Sequence, residues 1–125
     1  NRLCETMLGN KLNGVFHAGA RRRLSLYQIA QIINRVGGYD PDCLLGIPRR
    51  QAGPIPPRAG NVCMDCGKLI GALGRDPFDP WPCCDSLVPT HADWHRERPA
   101  DEPRSPEHLL RVLAANPNLT IDAAA

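Results

Sequence analysis

A chain of 125 residues is long enough for one domain and no more. Its apolar fraction of 42% allows a modest core, but 13 prolines and 11 glycines hand much of the length to loops. The net charge of +2 is too small to imply a nucleic-acid partner by itself. No apolar run approaches the ~20 residues that a membrane crossing needs, and the first residues carry no signal-peptide pattern. A soluble cytoplasmic protein is the expectation, without nucleic-acid or membrane partners.

The chain starts at Asn1 and reads at once as the end of a helix, stopped by Gly9-Asn10, as if cut from something longer. Asn13-Gly14 then turns it into Val15-Phe16-His17, a predicted strand. After the basic turn Arg21-Arg22-Arg23, Ser25 is placed to cap a helix, with Leu26, Ile29, Ala30, Ile33 and Val36 on one face and Gly37-Gly38 as the stop. Leu44-Leu45-Gly46-Ile47 is a second candidate strand. Residues 48–57 hold four prolines and predict an irregular loop. Val62 to Met64 is expected to be extended, and Asp65 to open a helix closed by Gly74. Residues 76–89 form a further proline-interrupted loop, in which Trp81 is expected to cover the edge of the core, as is Trp94 beyond it. The charged stretch His95-Arg96-Glu97-Arg98 with Asp101-Glu102 predicts a surface segment with local pairing. Ser105-Pro106-Glu107 starts the last helix, and residues 116–125 are expected to fray.

Two chemistries stand out. In the first, Arg58 follows Pro56-Pro57, which restrict the backbone and aim the side chain. A guanidinium presented in this way can make two parallel charge-assisted hydrogen bonds to phosphate, and Asp65 fixes where the next helix begins. Of the 15 basic residues only Lys11 and Lys68 are lysines, a composition suited to planar recognition of phosphate and carboxylate, though GC-rich coding produces the same bias. In the second, Cys63 and Cys66 have the spacing of half a zinc site, and His91 and His95 could complete it. Cys83-Cys84 is a poorer source of ligands, because adjacent side chains on extended backbone point to opposite faces. A disulfide framework has no support from any sign of secretion. The tri-arginine turn lacks the interleaved aromatics of a base-stacking surface, and the scattered Asp76, Asp79 and Asp85 offer no acid–base pair.

Several pieces of the chain occur in one order in a known family. They are Gly14-Val15-Phe16-His17-Ala18-Gly19, then Leu24-Ser25-Leu26-Tyr27-Gln28-Ile29-Ala30, then Arg58 with Asn61-Val62, Met64-Asp65, Lys68-Leu69 and Leu73-Gly74, and finally Pro80-Trp81. Over roughly residues 1 to 90, the chain resembles the carboxy-terminal part of extended short-chain dehydrogenases that act on nucleotide-sugars. The nearest group is the dTDP-4-dehydrorhamnose reductase-like proteins. The resemblance implies an α/β fold, a small substrate-binding subdomain spanning residues 1–115 with its Rossmann portion missing. It implies a dTDP- or UDP-sugar as ligand, with Arg58 on the diphosphate, Asn61 close to the same ligand and His17 beside the cleft.

The departures define what is left. The glycine-rich dinucleotide turn is absent, since Gly67, Gly71 and Gly74 follow no strand-and-turn. The Tyr-x-x-x-Lys pair is missing as well: Tyr27 is followed four positions on by Gln31, and Tyr39 by Cys43. No catalytic residue and no bound cofactor are therefore assigned to this segment. NAD(P) is implied only for a full-length oxidoreductase or epimerase, whose Rossmann portion would be this segment's partner. The alternatives are a small zinc-stabilised binding module using Cys63 and Cys66, and a pseudoenzyme or interaction piece with an empty pocket.

Overall fold

The computed structural model describes residues 2–20, 22–77, 82 and 84–114. Arg21, Phe78, Asp79, Pro80, Trp81, Cys83 and the tail expected to fray lie outside the described residues. Among the described residues, four α-helices follow in order: α1 (Arg2–Gly9), α2 (Leu26–Val36), α3 (Gly67–Leu73) and α4 (Pro106–Ala114). Short 3₁₀ turns at Pro41–Cys43, Arg49–Gln51, Asp85–Leu87 and Trp94–Arg96 punctuate the connections. No strand occurs among the described residues, so the α/β expectation is overturned and the fold is all-helical.

The reason lies in the two segments expected to be strands and in the run at Val62 expected to be extended. A strand is held by a ladder of backbone hydrogen bonds to a neighbour and by burial of one face. Val15, Leu45 and Val62 are instead 78%, 82% and 77% exposed, so no neighbouring surface covers them. Local partners take up their polar groups: the Val15 carbonyl accepts from Lys68 Nζ at 2.9 Å, and the Cys63 N–H donates to Asn61 Oδ1 at 3.0 Å. β-Propensity describes fit to a pleated surface, and this chain offers no such surface to those residues.

The helices begin where capping chemistry predicts. Ser25 Oγ accepts from the Gln28 N–H and the Gln28 side chain accepts from the Ser25 N–H, a reciprocal capping box, and Gly37 closes α2. Ser105 Oγ accepts from the His108 N–H at the start of α4, with proline at its first position. Asp65 acts one residue earlier than expected. Cys66 holds the cap position of α3, and Asp65 Oδ1 accepts from the Gly67 N–H at 2.8 Å. Gly74, with φ of +70°, ends that helix in the left-handed conformation.

The core is small and lies between α2, α4 and the 3₁₀ turn at Trp94, where Ile32, Val36, Trp94, Leu109 and Val112 are buried together. The face of α2 that turns inward differs from the apolar stripe read from spacing. Leu26 and Ile33 are exposed, whereas Gln31, Asn34 and Arg35 are buried beside Ile32 and Val36. The partner explains the choice. Residues 89–98 have little regular structure, so their backbone carbonyls need donors that a helix or sheet would have supplied. Gln28 Nε2 donates to the Pro89 carbonyl, Tyr27 Oη to Ala92, and Gln31 Nε2 to both His91 and Ala92, all at 2.8–3.1 Å. Arg35 donates to the Trp94 carbonyl at 3.2 Å and lies 4.1 Å from the centre of the Trp94 ring.

The charged stretch after Trp94 is a surface segment with local pairing only in part: Arg96 and Glu97 are exposed and Arg96 lies 3.7 Å from Asp93, but other members reach back to α2. Arg35 makes a two-pronged ion pair with Glu102, Nε to Oε2 at 2.8 Å and Nη2 to Oε1 at 3.1 Å. Arg98 donates to the Asn34 side chain at 2.8 Å and to the Tyr39 carbonyl at 2.6 Å. Burial, and then the nearby Arg104, push the Arg98 guanidinium below its ordinary range. Trp94 belongs to the core and not to its edge. His95 is 1% exposed, with Nδ1 3.3 Å from Gln31 Nε2.

Candidate anion-binding site

The irregular loop 48–60 forms a concavity through three local devices. The 3₁₀ turn Arg49–Gln51 points two consecutive arginines from one short arc. Gly53, at φ +103°, permits the reversal that follows. Pro56 and Pro57 then stiffen the return limb that carries Arg58. The result is a surface cavity of about 380 Å³ bordered by Arg49, Arg50, Ile55, Pro56, Pro57 and Arg58. Arg49 Nη2 donates to the Pro56 carbonyl at 2.7 Å, which ties the two limbs together and fixes one of the guanidinium groups.

The charge arrangement is one-sided. Among the described residues, three arginines border the cavity and no carboxylate does. Cations gathered without counter-charges repel one another, and an arriving anion relieves that repulsion while accepting several N–H donors at once. The volume falls within the usual range of roughly 300–1,000 Å³ for small-molecule sites. Arg58 borders this concavity, and no acid is found paired with it among the described residues. Arg49 and Arg50 were not singled out by sequence reasoning, although the loop containing them was. The Arg-Arg pair within a proline-rich loop that also contains Arg58 was the available signal.

The other residues expected at the ligand are not brought to this cavity. Asn61 borders a second concavity of about 450 Å³, shared with Gly19, Arg22, Arg23, Gln28 and Cys63. Its side-chain oxygen is engaged by the Cys63 N–H, and the neighbouring Arg22 is paired with Asp85 at 2.8 Å. His17 borders a third and smaller hollow of about 280 Å³ with Val15, Asp65 and Lys68. Lys68 closes one side of that hollow, donating to the Val15 carbonyl while standing 4.6 Å above the Phe16 ring. Its ammonium is an anchor for the segment 14–17. Arg58, Asn61 and His17 thus border three separate hollows.

The cysteines and histidines of the zinc alternative are likewise dispersed. Cys63 is exposed, while Cys66 is buried with its thiol donating to the Gly19 carbonyl at 3.4 Å. His91 Nε2 meets Glu97 at 2.8 Å, and His95 is turned inward to Gln31. Among the described residues, no group of three or more His, Cys, Asp or Glu side chains is gathered closely enough to hold a metal ion. Also among them, no helix is long and apolar enough to cross a membrane. Comparison of the chain with family models, curated proteins and solved structures returned no match.

Proposed function

We propose that this chain binds a nucleotide-sugar through its diphosphate, as the substrate-binding segment of an NAD(P)-dependent oxidoreductase similar to the dTDP-4-dehydrorhamnose reductases. The observation that carries the reading is the trio Arg49, Arg50 and Arg58 around a cavity of about 380 Å³ with no acid on its rim among the described residues. A diphosphate presents closely spaced oxygens over two linked groups, and three arginines bordering one cavity offer it opposite charge and several N–H donors. The apolar rim of Ile55, Pro56 and Pro57 offers a low-polarity surface to the part of the ligand beyond the phosphates. The ordered motifs around Arg58 supply the choice of a dTDP- or UDP-sugar over other diphosphates. Asn61 and His17 border other hollows and have no part in the diphosphate grip. NAD(P) and the hydride chemistry belong to a Rossmann partner portion, because no residue of this segment is assigned to proton or hydride transfer.

The test is titration calorimetry of a dTDP-sugar and a UDP-sugar into the 125-residue chain and its Arg58→Ala variant. Removing one charged hydrogen-bond donor costs about 1.5–3 kcal/mol, so the variant binds roughly ten- to a hundred-fold more weakly. Equal affinity in the two proteins takes Arg58 out of the site.

A further inference from the structure

The six cysteines include one closely spaced pair that the anion site does not use. Cys63 and Cys66 are three positions apart at the entry to α3, with Cys63 exposed and Cys66 buried, and neither is in a disulfide. Cys63 borders the 450 Å³ hollow beside Asn61. The Cys66 thiol faces inward, within hydrogen-bonding distance of the Gly19 carbonyl at 3.4 Å and the Met64 carbonyl at 3.7 Å. Gly19 borders the same hollow. Cys4, Cys43 and Cys84 are exposed too, but none has a second cysteine three positions away.

We infer that Cys63 and Cys66 form a redox-active dithiol, modified by small-molecule disulfides, whose oxidation loosens the Gly19 wall of the neighbouring hollow. An exposed thiol three positions from a buried one sets the order of events. Access governs which sulfur reacts first with an external disulfide, and proximity governs which sulfur resolves the product. The Cys63 thiolate attacks one sulfur of glutathione disulfide; the reagent S–S bond breaks and one glutathione thiolate leaves, taking a proton. The Cys66 thiolate then attacks the Cys63 sulfur of the mixed disulfide, and the second glutathione thiolate leaves. Two protein thiols are oxidised to one disulfide, and one glutathione disulfide is reduced to two thiols. Cys66 thereby loses the proton it shares with the Gly19 carbonyl, so the contact joining α3 to the segment 18–20 is broken. This device stands independently of the proposed nucleotide-sugar site.

Tryptic cleavage after Arg58 and Lys68 releases a peptide, residues 59–68, that contains both cysteines and no other. The intact chain is incubated in glutathione disulfide, blocked with iodoacetamide, digested without reduction and read by mass spectrometry. The expected product is this peptide with no alkyl group and two hydrogens fewer, while Cys4 and Cys43 carry glutathione singly. The Cys66→Ser variant accumulates glutathione on Cys63, and the Cys63→Ser variant leaves Cys66 free to be alkylated once the chain is unfolded. Hydrogen exchange at residues 18–20 rises in the oxidised protein. A peptide carrying two separate glutathiones, or one that stays fully reduced while Cys4 and Cys43 react, overturns the inference. Unchanged exchange at residues 18–20 in an oxidised sample removes the coupling to the hollow.

Discussion

Replacing Glu102 by alanine removes the acid that holds the buried guanidinium of Arg35. In the folded chain that guanidinium has four partners: both oxygens of Glu102, the Trp94 carbonyl and the face of the Trp94 ring. Two of the four vanish with the substitution, leaving two N–H groups unmatched on a side chain that is 9% exposed. Each charged hydrogen bond contributes about 1.5–3 kcal/mol, and stranding one member of a buried pair costs about 3–5 kcal/mol. The expected loss for Glu102→Ala is therefore about 3 kcal/mol, a large share of the roughly 5–15 kcal/mol typical of a whole domain. Arg35→Met removes the cation itself and leaves Glu102, at 19% exposure, closer to water, so its expected loss is smaller. The double variant should be about as stable as Arg35→Met alone, a coupling of more than about 1 kcal/mol. Urea unfolding followed by tryptophan fluorescence reads this directly, because Trp94 is buried against the same guanidinium. A Glu102→Ala midpoint indistinguishable from wild type, or purely additive single losses, would refute the claim that this pair fastens residues 94–102 to α2.

Other substitutions test the remaining joints. Ser25→Ala deletes the capping box of α2 and should cost about 1 kcal/mol in urea unfolding; a wild-type midpoint would mean that the cap carries no stability. A Cβ placed on Gly46 meets the Tyr27 ring at 2.7 Å, and that ring is held by its hydroxyl on the Ala92 carbonyl. Gly46→Ala should therefore lose about 1–3 kcal/mol through overpacking. The control is Gly9→Ala, where a Cβ meets nothing within 4 Å, which is expected to be neutral or slightly stabilising; equal effects at the two sites would contradict the packing described. At the anion site, Arg49→Ala should weaken sugar-diphosphate binding at least as much as Arg50→Ala. It removes a donor and also the bond from Nη2 to the Pro56 carbonyl that ties the loop limbs. Parallel calorimetric titrations of the two variants rank them, and the reverse order would show that the tie is dispensable.

Helix ends were readable from the sequence because capping is local. Ser25 and Ser105 each needed only the next three residues to declare themselves, and both do what their surroundings predict. The strands expected at Val15 and Leu45 failed for the complementary reason: pairing depends on a neighbour that composition cannot supply, and these residues stay exposed. The inward face of α2 was unreadable from periodicity because its partner is an irregular segment, which demanded donors such as Gln31 and Arg35 where spacing suggested only apolar contacts. The pairing of Arg35 with Glu102 spans 67 residues and leaves no local trace. Arg58 was legible through its prolines, whereas the contribution of Arg49 and Arg50 depends on the turn at Gly53 that folds them back. Asn61 and His17 entered through family likeness, and they border hollows of their own.

The most direct measurement of the anion site is an NMR titration of the arginine-labelled chain with a dTDP-sugar, following the guanidinium Nε–Hε resonances. The account predicts saturable shifts at Arg49, Arg50 and Arg58, reproduced in part by inorganic pyrophosphate and absent with the uncharged sugar. Shifts that grow without saturating, or that fall on Arg22 and Arg23 while the trio stays still, would contradict it.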